Sequence, residues 1–328
     1  MASQKLFSVV IFQLLLLVPF ALGLANANGL KLGFYHKTCP SIEAIVKETT
    51  ARFISRAPTL AAPLIRMHFH DCFVRGCDGS VLLNSTKNNQ AEKDAFPNQS
   101  LRGFQVIDAV KSALEKRCPG VVSCADVLAL VARDAISLIH GAFWVVPLGR
   151  RDGRVSIMTE ALTGLPPPFG NITLLKTIFA SKGLSVKDLA VLSGAHTIGI
   201  SHCTSFTNRL YNFTGKGDTD PSLDPNYIVR LKNKCKPGDI KTFVEMDPGS
   251  FKTFDADYYT LVSERRGLFQ SDAALLDDNE TKSYVKLQAT SHGWTFMKDF
   301  GDSMIKMGQI GVLTGSSGEI RKQCAFVN

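Results

Sequence analysis

Residues 64–80 read LIRMHFHDCFVRGCDGS, from Leu64 to Ser80. Two histidines, two arginines, two aspartates and two cysteines share this one segment. Which of them work together depends on whether the chain here is helix or strand. On a helix, Arg66 and His70 are four apart and share a face with Phe69, while His68 points roughly 200° away from His70. On a strand, His68 and His70 would line the same side, as the H-x-H pair of a metal hydrolase requires. Leu60, Ala61, Leu64, Ile65 and Phe69 recur at helical spacing. That pattern predicts a helix over 60–73, an Arg66–His70 acid–base pair, and for His68 either a packing role or one supporting the site from behind.

Just beyond this helix, Asp71, Asp78 and Ser80 offer side-chain oxygens, and the Val74 and Gly76 carbonyls fall between them. Calcium takes several hard oxygen ligands from a compact loop, and a Cys72–Cys77 bridge would hold such a loop in shape. The spacing is not that of an EF-hand, so these residues alone leave calcium open.

Further out, the chain has 328 residues, 45% of them hydrophobic, enough for one large core or two smaller halves. Lys5 precedes an apolar run from Leu6 to Leu24, and Ala25-Asn26-Ala27 supplies small residues at a cleavage site. This is the pattern of a secretory signal peptide over 1–27, leaving 28–328 as the mature domain. A membrane anchor is the competing reading, but Gln13 and Pro19 break the run, and a span needs ~20 apolar residues. All eight cysteines (Cys39, Cys72, Cys77, Cys118, Cys124, Cys203, Cys235, Cys324) follow the signal. An even number in an oxidising compartment points to four disulfides, whose pairing spacing alone cannot resolve. A zinc site is disfavoured because no C-x-x-C pair occurs. N-x-S/T sequons begin at Asn84, Asn98, Asn171, Asn212 and Asn279, as expected of a glycoprotein.

Helical periodicity dominates. Ile42, Ile45, Val46, Thr49 and Phe53 follow a Pro40-Ser41 start signal; Val106, Ile107, Val110, Ala113 and Leu114 repeat the pattern, as do Val127, Leu128, Val131, Ile136 and Leu138 less regularly. Ser185 and Asp188 form a capping-box pair. Alternating strand patterns are scarce, no repeat is present, and Pro166-Pro167-Pro168 marks a rigid connection near the middle. The expected class is therefore mainly α with little strand, one domain in two packed halves. Gly215-Lys216-Gly217 lacks the rest of a nucleotide loop, Asp218, Asp220 and Asp224 read as a solvated turn, and Arg150, Arg151 and Arg154 read as structural. The formal charge of +8, one less without Lys5, favours contact with acidic polymers such as an anionic cell wall.

The segment RMHFHDCFVRGCDGS resembles the distal-side signature of the secretory haem peroxidases of plants, class III. Val191 to Gly199, VLSGAHTIG, is similar to that family's proximal haem-ligand motif. Further matches are Glu92-Lys93-Asp94, Val122-Ser123-Cys124-Ala125-Asp126, Gly149-Arg150-Arg151-Asp152, Gly267 to Asp272, and Gly318-Glu319-Ile320-Arg321 before Cys324. The similarity runs from about Leu32 to Asn328.

The resemblance implies a haem-peroxidase fold, two helical halves with haem b (iron protoporphyrin IX) between them, and two calcium ions. His196 would be the axial iron ligand and Asp272 would accept its other ring N–H. His70 would act as general base and then acid on hydrogen peroxide, with Arg66 stabilising developing charge, Asn98 holding the His70 tautomer and Phe69 closing the space above the iron. Asp71, Val74, Gly76, Asp78 and Ser80 would hold one calcium; Thr197, Asp247, Ser250, Thr253 and Asp255 would hold the other. Ser250 stands where many members have threonine, and Met246 where some have an aromatic residue, which leaves the redox potential open. The implied disulfides are Cys39–Cys118, Cys72–Cys77, Cys124–Cys324 and Cys203–Cys235, and Pro166 would line the access channel for aromatic donors. Asn98, needed inside, is expected to carry no glycan, leaving Asn84, Asn171, Asn212 and Asn279 as acceptors.

The expected protein is a monomeric enzyme of the extracellular space or cell wall, with no membrane or nucleic-acid partner, that reduces hydrogen peroxide and oxidises phenolic donors to radicals. The four residues after Cys324 leave no tail for a vacuolar address. Two rivals are a secreted metal hydrolase using His68 and His70, and a non-catalytic calcium-binding wall glycoprotein. Helical periodicity argues against the first; the second has no need for Arg66, His70 and His196 together.

Overall fold

The computed structural model describes residues 29–328, so the expected signal peptide lies outside the described residues. Among them are thirteen α-helices and one sheet. In chain order the helices are α1 (Ile42–Ile54), α2 (Ala61–Val74), α3 (Phe104–Arg117), α4 (Cys124–Leu138), α5 (Met158–Gly164), α6 (Ile172–Ser181) and α7 (Val186–Ser193), followed by α8 (Thr207–Tyr211), α9 (Pro225–Lys234), α10 (Asp257–Ser263), α11 (Gln270–Ala274), α12 (Asn279–Thr290) and α13 (Phe296–Met307). The sheet pairs β1 (Ile200–His202) with β2 (Phe243–Glu245) antiparallel, Ser201 opposite Val244. The mainly α expectation holds, and the deciding segment is helical, displaced by one residue from the predicted range.

Helix α4 is the axis of the first half. Ser123 caps it by accepting the Asp126 N–H at 3.1 Å, and every residue from Cys124 to Ile136 is buried. A helix buried on all sides must be surrounded, and α1, α2 and α3 pack around it. In the second half, α7 begins with the reciprocal Ser185–Asp188 capping box and packs against α12 and α13, while α10 packs on α12. A separate small cluster of buried apolar side chains joins β2, α8 and α9.

Covalent and ionic ties close this frame. The cysteines pair as Cys39–Cys118, Cys72–Cys77, Cys124–Cys324 and Cys203–Cys235. Arg150 is buried, bonding Asp126 Oδ1 at 2.8 Å and the Gly308 carbonyl through two nitrogens. Arg151 reaches the Ser317 carbonyl and Arg154 reaches Glu319, so this cluster holds the C-terminal segment. The solvated-turn reading of Asp218, Asp220 and Asp224 needs correction. Asp220 is buried in an ion pair with buried Arg209 at 2.7 Å, and Asp224 caps α9 through the Tyr227 N–H. A carboxylate tolerates that burial only because a guanidinium lies against it.

Candidate active site

One face of α2 brings a histidine, an arginine and a buried amide together. Asn98 is only 1% exposed. Its Nδ2 donates to the Glu92 carbonyl at 2.7 Å, which turns its Oδ1 toward His70 Nδ1 in a short hydrogen bond. The amide oxygen can only accept, so His70 carries its proton on Nδ1 and presents Nε2 as a free lone pair. Burial first, and then the Arg66 charge, pushes the His70 pKa well below its usual value and keeps the ring neutral. Arg66 is anchored by Ser100 Oγ at 3.0 Å and the Pro97 carbonyl at 2.6 Å. Burial draws its pKa down to about 10, which still leaves it charged at neutral pH. The Phe69 ring stands edge-on to His70, 5.5 Å between centroids. His68 points the other way, into the core, with Nδ1 3.7 Å from Cys72 Sγ and its pKa lowered to about 3 by burial and then by Arg150.

His196 lies in the single-turn helix that continues α7. Its Nδ1 and Asp272 Oδ1 are 2.8 Å apart, although 76 residues separate them. Asp272 also accepts the Tyr258 hydroxyl at 3.0 Å and the Phe269 N–H at 2.8 Å. Burial alone would raise its pKa, but His196 and these donors outweigh that and hold it low. The carboxylate is 1% exposed while the imidazole is 37% exposed, so Nε2 faces open space with its lone pair free. Gly194 lets the turn approach the core, since a Cβ there would lie 2.5 Å from the Phe296 ring. At Gly199, φ is +97° and an added Cβ would come within 2.8 Å of Ala62 Cβ. The turn carrying His196 therefore meets α2 one helical turn before Arg66. Pro166 is half-buried, and its neighbour Pro168 accepts the Ser271 N–H at 3.0 Å, beside Asp272.

Two acidic clusters flank these histidines. In the first, Asp71 accepts the Gly79 and Val81 N–H groups and Asp78 accepts that of Ser80. The Ser80 hydroxyl and both Glu92 carboxylate oxygens are buried without a hydrogen-bond partner. Burial, with Asp78 next, pushes the Asp71 pKa well up; burial raises that of Glu92 to about 8. Such a group of buried acids calls for a cation. The Gly76 carbonyl accepts the Asp78 N–H, and the Val74 carbonyl is reached by Lys182 Nζ at 3.3 Å, each with a second lone pair to spare.

In the second cluster, Asp255 accepts the hydroxyls of Thr197 at 2.8 Å and Ser250 at 3.1 Å. Carboxylate oxygens of Asp247, Asp255 and Asp257 lie within 4.8 Å of one another, and Asp247 Oδ2 is buried and unpartnered. Thr253 is exposed there, its N–H bonded to the Ser250 carbonyl. Met246, buried beside this loop, bonds the Gly199 carbonyl through its N–H.

Sequence reasoning missed Glu92, Ser100, Asp257 and Tyr258 as site residues. Glu92 had a signal, being a carboxylate in a matched motif; the others are joined to the site only by the fold.

Both halves suit haem-dependent oxidoreductase chemistry. A family model described as Peroxidase matches residues 46–291. Peroxidase 56 of Arabidopsis thaliana is 64% identical over 303 residues, 92% of each chain. Peroxidase 27 of the same plant is 61% identical over 327 residues, 100% of this chain and 99% of its own. Peroxidase 1 of Oryza sativa subsp. japonica is 58% identical over 320 residues, 96% and 98% of the two chains. The chain belongs to the peroxidase family, in its class III plant branch. It is thus an enzyme of the haem peroxidase type that acts on hydrogen peroxide and reducing substrates.

Proposed function

We propose that His70, Arg66, Asn98 and Phe69 form the peroxide-cleaving side of the site, and that His196, backed by Asp272, holds the iron of haem b. The donor set fits that group. An imidazole with Nδ1 tied to a buried carboxylate and Nε2 free is a neutral nitrogen ligand whose basicity the carboxylate raises. When bound, haem supplies the iron at which peroxide is cleaved and on which its two oxidising equivalents are held.

The rest of the work is done by side chains. His70 Nε2 takes the proton from the near oxygen of hydrogen peroxide and returns it to the far oxygen, which leaves as water. Asn98 keeps the proton of His70 on Nδ1, so that Nε2 remains the base. Arg66, fixed by Ser100 and Pro97, faces the charge that develops on the leaving oxygen without having to reorganise. Phe69 admits a small peroxide and excludes a bulky donor. Two phenolic donors, admitted past Pro166, each give up one electron and one proton and leave as radicals, completing a second water.

Two calcium ions would occupy the acidic clusters: Asp71, Val74, Gly76, Asp78 and Ser80 near α2, and Thr197, Asp247, Ser250, Thr253 and Asp255 near His196. The orphaned oxygens of Ser80, Glu92 and Asp247 support both sites. Asp71 follows His70 directly, so the first ion would fix the helix end that carries the base.

Residues 28–328 would act as one secreted, monomeric domain after loss of a signal peptide at 1–27. In support, all eight cysteines are paired, as suits an oxidising compartment. No helix among the described residues is long and apolar enough to cross a membrane. Asn84, Asn171, Asn212 and Asn279 are exposed and available for glycans, and the +8 formal charge favours anionic wall polymers.

The observation that carries this reading is the neutral His70 locked by Asn98 beside Arg66. An absorption spectrum of the purified protein tests it. An intense Soret band that shifts on adding peroxide, and that is lost in His196→Ala, is expected. Either rival, the metal hydrolase or the calcium-binding glycoprotein, predicts no such band.

A further inference from the structure

Three of the chain's six tyrosines stand in a row that begins at His196. The Tyr258 ring lies 5.9 Å from His196 and 5.1 Å from Tyr259, and Tyr259 lies 5.6 Å from Tyr284, centroid to centroid. Each meets the next edge to face, and all three are buried, Tyr284 being the most accessible at 7%. Packing alone does not call for phenols here. Phe296, 5.2 Å from Tyr259, fills the adjoining space with a plain ring.

The hydroxyl partners separate the three. Tyr259 donates to the carbonyls of Ala190 and Val191, which are weak bases. Tyr258 donates to Asp272, already committed to His196. Tyr284 donates to Asp299 Oδ2 at 3.1 Å. That oxygen also accepts the Thr295 hydroxyl at 2.6 Å, but the Asp299 side chain, unlike that of Asp272, is partly open to solvent, at 13% against 1%. Asp299 also pairs with Lys187 at 2.8 Å, whose side chain is 52% exposed. A phenol gives up an electron far more readily when a base takes its proton, because the alternative is a buried radical cation. A peptide carbonyl cannot serve as that base, whereas a carboxylate can. Tyr259 is therefore suited to relay charge, and Tyr284 is where an oxidised phenol can rest.

We propose that Tyr258, Tyr259 and Tyr284 form a redox route that discharges the enzyme when peroxide has reacted and no donor is at the haem. One electron leaves Tyr284 and passes through Tyr259 and Tyr258 to the oxidised site, consuming one of the two equivalents that peroxide left there. The Tyr284 hydroxyl proton moves to Asp299 Oδ2. A neutral tyrosyl radical remains at Tyr284, later restored by one electron from a phenolic donor at the surface near Lys187 and by the proton returning from Asp299, while the donor loses its own proton to solvent. This inference rests on the peroxidase reading above.

The test is electron paramagnetic resonance on haem-loaded wild type, Tyr259→Phe and Tyr284→Phe, frozen shortly after one equivalent of peroxide without donor. Phenylalanine keeps each ring contact but is much harder to oxidise. Wild type is expected to give a tyrosyl signal that is lost in both variants, while their Soret bands and phenol turnover stay as in wild type. A signal that persists in either variant, or a wild type that reacts with peroxide without forming one, overturns the route alone. A wild type whose Soret band does not respond to peroxide overturns the peroxidase reading and this inference with it.

Discussion

Replacing Asn98 with leucine isolates the tautomer lock on His70, the proposed base. The side chain is buried and nearly isosteric, so the change removes two hydrogen bonds without opening a large cavity. One loss is cushioned, since the Glu92 carbonyl also accepts the Ala95 N–H at 3.0 Å. The other is not: the His70 Nδ1–H has Asn98 as its acceptor, and an orphaned buried donor costs about 1–3 kcal/mol. The ring can escape that cost by moving its proton to Nε2, which abolishes the base. A bias of that size corresponds to a factor of about 5–150 in the population of the working tautomer. Asn98→Leu should therefore slow peroxide cleavage by roughly one to two orders of magnitude, on the same arithmetic. Oxidation of phenols by enzyme already charged with peroxide should change little. Stopped-flow mixing of the haem-loaded variant with limiting peroxide, followed at the Soret band, reads the first step alone. An unchanged rate constant would refute the reasoning, as would a glycan found on Asn98 of active protein by glycopeptide mass spectrometry.

Other outcomes follow from the same geometry. Chelation should lower activity and melting temperature together, because the acidic loop at Asp71 adjoins His70; unchanged activity in demonstrably calcium-free protein would rule that out. His68, with an ordinary pKa of 6.5 and a folded value of about 3, binds its proton more readily when unfolded. Its contribution is complete above pH 6.5 and is lost as pH falls toward 3, at about 1.4 kcal/mol per pH unit. Denaturant titrations across that range should show a shallower acid decline for His68→Gln, and equal slopes would count against the burial argument. Arg209→Ala leaves buried Asp220 without its partner, so a loss of about 3–5 kcal/mol is expected in urea unfolding; a loss under 1 kcal/mol would mean that the pair is not buried in solution.

How far the sequence could be read depended on the distance over which each feature is encoded. The choice between His68 and His70 needed only local periodicity, because a helix puts residues four apart on one face. The Ser185 cap and the apolar periodicity of α4 were legible for the same reason. The His196–Asp272 and His70–Asn98 pairs were not, since they join elements that the fold alone brings together; family resemblance supplied them. Asp220 was misread because its neighbours are prolines and polar residues, while the arginine that buries it lies eleven positions earlier on another element. Asp257 and Tyr258 escaped notice because an acid and an aromatic at the start of a helix look ordinary until Asp247 and Asp272 arrive from elsewhere.

The central claim is that His70, and not His68, moves the proton during peroxide cleavage, and the rate constant for that step in His70→Ala and His68→Ala tests it directly. His70→Ala should keep its haem spectrum and lose on the order of 10²–10⁴ in rate, the usual worth of general acid–base catalysis, while His68→Ala stays near wild type once folded. A larger loss in His68→Ala than in His70→Ala would contradict the account.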